Sequence, residues 1–156
     1  MLAGESIEIG IMDVAEFFLA LINAFIFFIL SLIHFYWLLG GKWGMASAVP
    51  TKDNSTEKIF EPSAFSTLVV AMGLLLFGLI ELGSINIFSN WIALRYFRWG
   101  NLLIAFIFFA RAVGDFNYVG FFKRSRDTVF ARNDTWYYSP LCLFIAITSV
   151  LIVISD

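Results

Sequence analysis

Four long apolar runs divide the chain, roughly Val14–Leu39, Ser63–Leu82, Leu94–Phe116 and Tyr137–Ile154. Each is close to the ~20 residues that a helix needs to cross a bilayer. Connections of about 23 residues (Gly40–Pro62), 8 (Gly83–Asn90) and 20 (Asn117–Trp136) separate them, none long enough to fold as a soluble domain. The pattern predicts an all-α integral membrane protein, an up-down four-transmembrane-helix bundle in which residues 1–156 form one membrane domain. Local signals agree at the fourth run, which opens on YYSPLC. There Ser139 fits an N-cap and Pro140 the first helical position, where a missing N–H costs nothing. Trp136, Tyr137 and Tyr138 fall where an interfacial aromatic belt belongs.

The polar residues between the runs set an orientation. Lys42, Lys52 and Lys58 lie in the first connection, and Lys123, Arg124, Arg126 and Arg132 in the third. Only Arg95 and Arg98 oppose them, and the ends of the chain carry no Lys or Arg. The positive-inside rule therefore places the two long connections in the cytoplasm and both termini outside. Glu5, Glu8, Asp13 and Glu16 precede or open the first run, which is also too long for a cleavable signal peptide. Two triplets, at Asn54 and Asn133, fit the N-glycosylation pattern but fall on the cytoplasmic side of this topology.

Composition strengthens the membrane reading. The chain is 60% hydrophobic, 19% aromatic and only 14% charged, with 19 Phe among 156 residues. That apolar area exceeds what one small core can hide, so much of it has to face lipid. A net charge of −2 and the lack of a basic stripe argue against a nucleic-acid partner. Cys142 is the sole cysteine, so no intrachain disulfide can form. With one His besides, the chain lacks the ligand set of a metal site. No cofactor or nucleotide fingerprint is present, and the expected partners are membrane lipids, a hydrophobic small molecule, a second copy or another membrane protein.

Ionisable residues inside the apolar runs are the candidates for function, because a charge at the bilayer centre costs about 2.5–3.5 kcal/mol. The stretch FFARAVGDFNYVG carries Arg111 and, four residues on, Asp115. Four residues apart on one helix, they share a face and offset each other's charge, Arg111 standing about one turn inside the cytoplasmic boundary. On the first run Glu16, Asn23, His34 and Gly41 fall within roughly 20° of one line, so one face meets protein or water and the rest meets lipid. His34 stands at the level of Arg111 and Asp115. Gly40, Gly41 and Gly44 then permit a close turn that carries Trp37 and Trp43 back over the helix end. Glu81 lies at the opposite end, where Arg95 or Arg98 is its expected partner. Asp134 and Tyr138 are expected to cap the fourth helix, with Arg111 or a loop base also within reach of Asp134. The run FFKRSRDTVFAR reads as a solvated basic loop near anionic lipid, its Phe121, Phe122 and Phe130 lying on the membrane surface as a lid.

Three stretches together, HFYWLLGGKWG (His34–Gly44), RAVGDFNYVGFFKR (Arg111–Arg124) and FARNDTWYYSPLC (Phe130–Cys142), resemble a small bacterial family of four-helix membrane proteins. That family is known only as a domain of unknown function. The resemblance implies a four-helix protein of the bacterial inner membrane and brings no substrate. Three readings of the polar cluster follow from the residues. In the first it is a pocket for a lipid or hydrophobic small molecule, with His34 and Asp115 exchanging protons. Arg111 would hold an anionic or carbonyl group there, with Trp37, Trp43, Asp134 and Tyr138 lining the site. In the second the protein is an accessory or scaffolding subunit without chemistry, and in the third a small proton-coupled transporter using Glu16, Asn23 and His34.

Overall fold

The computed structural model describes residues 2–51, 61–88, 90–124 and 127–155, with side chains from Val14 to Ile154 within those ranges. Lys52, Asn54, Lys58 and Arg126 lie outside the described residues, as do the side chains of Glu5, Glu8 and Asp13.

The long helices are α1 (Leu2–Leu38), α3 (Ala64–Ser84), α4 (Leu94–Val113) and α6 (Ser139–Ser155), with short α2 (Met45–Ala48) and α5 (Val129–Asn133) in the long connections. No strand occurs among the described residues. Four stretches, Val14–Leu38, Ala64–Ser84, Leu94–Val113 and Val129–Ile154, are long and apolar enough to cross a membrane. At 1.5 Å per residue, the 21 residues of α3 span about 30 Å, the thickness of a hydrocarbon core.

Helix α1 packs on α3 and α6, and α4 packs on α6 and α3, so the four close into a ring. Across its centre Phe27 meets Phe77 and Phe108 edge-on, at 5.6 and 5.3 Å between centroids. Ile104 and Ile145 fill the remaining space. Lipid offers an apolar side chain as good a home as the core does, so close packing rather than dehydration holds such helices together. The interior positions accordingly favour small residues: Ala20, Ala24, Ala71, Gly78, Ala105, Ala112 and Ala146. Bulky residues such as Phe25, Leu32, Phe106 and Ile154 point outward.

Helix ends follow local chemistry. Ser63 caps α3 by accepting the Ser66 N–H, and Thr128 caps α5 by accepting that of Ala131. Helix α1 stops in a Schellman turn, where Gly40 (φ +91°) donates to the Trp37 carbonyl and Gly41 to that of Tyr36.

The fourth span departs from expectation. Ser139 is not an N-cap: it is the first residue of α6 with helical φ and ψ, and a π-helical turn, Asp134–Tyr138, joins α5 to α6 without a break. Pro140 therefore sits inside a helical stretch, where its ring crowds the carbonyl four residues back and no N–H is offered to it. The wider π turn, closed by the Ser139 N–H donating to the Asp134 carbonyl, falls immediately before that defect.

Candidate functional site

The polar residues of the long-connection end arise from where α4 stops. Gly114 takes φ +89° and closes the helix on the Ala110 carbonyl. The loop 114–120 then folds back, Asp115 N–H donating to Val119 O and Phe121 N–H to Ala112 O. Gly114 and Gly120 (φ +90°) meet backbone to backbone, and a Cβ on either would collide with the other strand of the loop. Asp115 is therefore beyond the helix, and its pairing with Arg111 is corrected. Its Oδ1 accepts the N–H groups of Asn117, Tyr118 and Val119 at 2.8–2.9 Å. The slight burial of this carboxyl works to raise its pKa. The N–H groups of Tyr118, Val119 and Asn117 outweigh that and hold it below the usual carboxylate range.

Arg111 instead turns to Asp134, 23 residues away, with Nη2 donating to Oδ1 at 2.8 Å. Asp134 is wholly buried in the π turn, and Oδ2 accepts from Gly120 N (2.7 Å), Lys123 Nζ (3.0 Å) and Ser139 Oγ (3.2 Å). Lys123 also donates to the Gly120 carbonyl and to Thr135 Oγ1. So Lys123, 2% exposed, is no solvated loop base. Phe130 is likewise buried, and the notion of a wholly superficial loop gives way at both residues, although Phe121 and Phe122 stay exposed. A buried carboxylate that attracts two cations and two further donors is compensated in the way low dielectric demands. Only Arg111 keeps something in reserve: its side chain is 33% exposed, and its Nη1, an enclosed atom, has no hydrogen-bond partner.

His34, Trp37 and Trp43 form a second group on α1 and its turn. His34 Nδ1 lies 2.7 Å from the Leu30 carbonyl, so that nitrogen carries the proton, and the ring meets Trp37 edge-on. Trp37 Nε1 donates to the Trp43 carbonyl at 2.8 Å, while the Trp43 ring is 75% exposed. Trp43 and Tyr36 flank an outward-facing apolar groove of about 330 Å³ along Ile29, Leu32 and Ile33. Tyr138 ties the two long connections together by donating to the Ser47 carbonyl (3.3 Å) and stacking obliquely on Phe130. No hydrogen bond or ion pair joins His34 to Arg111 or Asp115 among the described residues. The expected sites therefore divide into an Arg111–Asp134 group, a His34–Trp37–Trp43 group and an isolated Asp115.

A further polar group lies at the opposite end of the bundle. Glu81 is fully buried, and its Oε1 accepts from Asn23 Nδ2 (3.1 Å) and Ser149 Oγ (3.0 Å). Asn23 Oδ1 in turn accepts from Thr148 Oγ1 at 3.0 Å. The expected pairing of Glu81 with Arg95 or Arg98 gives way to neutral partners on α1 and α6. The signal was present in spacing: Thr67, Ala71, Leu74, Gly78 and Glu81 recur every three or four residues, which is the buried face of α3.

A ring of four membrane-length helices with polar residues turned inward defines a small multi-pass membrane protein. A family model described as "Protein of unknown function (DUF3995)" matches residues 27–149, and the chain belongs to that family. No curated protein matches the chain, and no solved structure does.

Proposed function

We propose that this membrane protein binds, at the long-connection end of its bundle, a lipid or hydrophobic small molecule bearing an anionic or carbonyl group. The observation that carries the reading is Arg111. One arm of its guanidinium is fixed on Asp134; the other is enclosed without a partner, so a ligand must enter beside the partly open side chain to reach it. A fork so held presents a pre-oriented donor, and a charge-assisted hydrogen bond to it contributes about 1.5–3 kcal/mol. The Trp43-flanked groove on α1 offers an apolar chain a seat at the same end. In the orientation read from the charges, this end faces the cytoplasmic leaflet and both termini lie outside.

The test is the amount of anionic lipid retained by purified protein in native mass spectrometry. Arg111→Lys keeps a cation beside Asp134 but removes the fork. It is expected to lose retention about tenfold. Retention equal to that of the unaltered protein, in a variant that melts normally, would refute the reading.

One observation favours a second reading, an assembly subunit. Asp134 and Lys123 are so fully engaged that they serve the fold alone. Recovery of a stoichiometric membrane partner after mild detergent extraction supports it.

A further inference from the structure

The two oxygens of Glu81 stand in different circumstances. Oε1 takes two hydrogen bonds, from Asn23 and Ser149, while Oε2 is buried and takes none. Both groups bonded to this carboxylate are neutral, so nothing bound to it balances a negative charge. An ionised carboxylate held in this way inside a membrane is costly, and an orphaned buried acceptor adds to that cost. If the side chain served only to join helices, Gln would keep both bonds to Oε1 and add no charge. What Glu supplies beyond Gln is an oxygen that can take and release a proton. The proton is also the one cation that needs no cavity, and Oε2 is enclosed by its neighbours.

A second observation gives the site a direction. Outward from Glu81, towards the end that carries the termini, Ser84 lies one turn further along α3 and accepts a hydrogen bond from Asn101 of α4. Asn101 is fully buried, and its own Oδ1 has no partner. Two orphaned acceptors therefore succeed one another along this half of the interior. Towards the middle, the neighbours are Gly78, Leu74, Phe27, Ile104 and Ile145, with no polar side chain until Ser31 donates to the Ala71 carbonyl. Among the described residues, the other titratable groups of this end are Glu16 on α1, about two turns outward of Asn23, and Arg95, Tyr96 and Arg98 on α4; Thr148 on α6 bonds Asn23.

We propose that Glu81 is a proton-binding site, loaded and emptied on Oε2 from the end of the bundle that carries the termini and closed to the other end by the apolar core. Release leaves the electron pair on the carboxylate, with Asn23 and Ser149 holding Oε1. The proton passes to water at the Ser84–Asn101 end. The site is independent of the Arg111 reading, since it uses no residue of that cluster.

A hydrophobic carbodiimide tests the proposal on the full chain in lipid vesicles, because it adds across the O–H of a carboxylic acid and spares the carboxylate. Mapped by peptide mass spectrometry, Glu81 is expected to be modified at acid pH, with the rate falling about tenfold per pH unit once the carboxyl ionises. The rate should follow the pH on the terminus side alone. Glu81→Gln, which retains the Oε1 bonds, should show no adduct at that position while melting like the parent. Failure to modify Glu81 at any pH, or a rate indifferent to pH, overturns the proposal. Protection by Na⁺ at fixed pH overturns it in favour of a metal-cation site, and control by the opposite compartment overturns the direction.

Discussion

Asp134 and Glu81 are both fully buried carboxylates, each set in one half of the same bundle, and they are satisfied in opposite ways. Asp134 receives two cations, a backbone N–H and a hydroxyl, with both oxygens occupied. Glu81 receives two neutral donors on one oxygen and nothing on the other. Position in the chain explains the difference. Asp134 is reached by a loop, which can bring Gly120 and Lys123 inward. Glu81 can meet only what three neighbouring helices present at its level. A fully engaged carboxylate locks structure in place. A half-engaged one keeps a free valence, and that free valence is where chemistry can enter.

The contrast breaks most severely at Asp134. Asp134→Ala leaves Lys123 buried beside an uncompensated site, at a cost of about 3–5 kcal/mol. Thermal unfolding in detergent should register it as the largest loss of any single change at either carboxylate. A smaller loss would show that the ion pairs are not what holds the long connection to α4 and α6. Gly120→Ala strikes the same lock through its backbone, since its Cβ would meet Val113 O and Gly114. About 1–3 kcal/mol of destabilisation is expected from the forced positive φ and the displaced N–H to Asp134. The same melt, read beside Asp134→Ala, tests whether the two losses are one: a double variant should lose less than the sum.

Glu81 sharpens the comparison from the other side. Glu81→Gln should change stability by less than about 1 kcal/mol, because its two hydrogen bonds survive and an orphan is removed or exchanged. Glu81→Ala, which strands Asn23 and Ser149, should cost about 1–3 kcal/mol. If Gln proves as harmful as Ala, the carboxylate is structural after all. The smallest effect belongs to Asp115. Its pKa is depressed in the folded protein, so its contribution is present above the ordinary carboxylate pKa and disappears as pH falls through the lower folded value. Asp115→Asn should flatten that strongly acidic limb of the stability–pH curve and lower neutral-pH stability by the same small amount. An identical acid limb would remove any role for the Asp115 loop cap.

The errors of sequence reading cluster where a helix was assumed to continue or a charge was assumed to seek a charge. Arg111 and Asp115 share a face only if α4 runs to Phe116. Gly114 ends it at Val113 because glycine adopts the left-handed φ that α4 needs to stop. Glu81 found amides and hydroxyls instead of arginines because the interior rows of α1 and α6 bring Asn23 and Ser149 to its depth. Asp134 was legible as a residue within reach of Arg111 and a loop base. Its full burial was not, since nothing local announces that Lys123 and Phe130 turn inward.

The sequence by itself determined the class of structure: four spans, their approximate limits, the inward stripe of α1 and the glycine turn after it. These follow from length, hydropathy and helical periodicity, which a bilayer reads one segment at a time. Tertiary structure alone decided the partners. Whether a buried carboxylate meets Arg111 and Lys123 or only Asn23 and Ser149 depends on which helices adjoin and at what depth. Those contacts join residues 11 to 68 positions apart, and no local rule names the partner at that range.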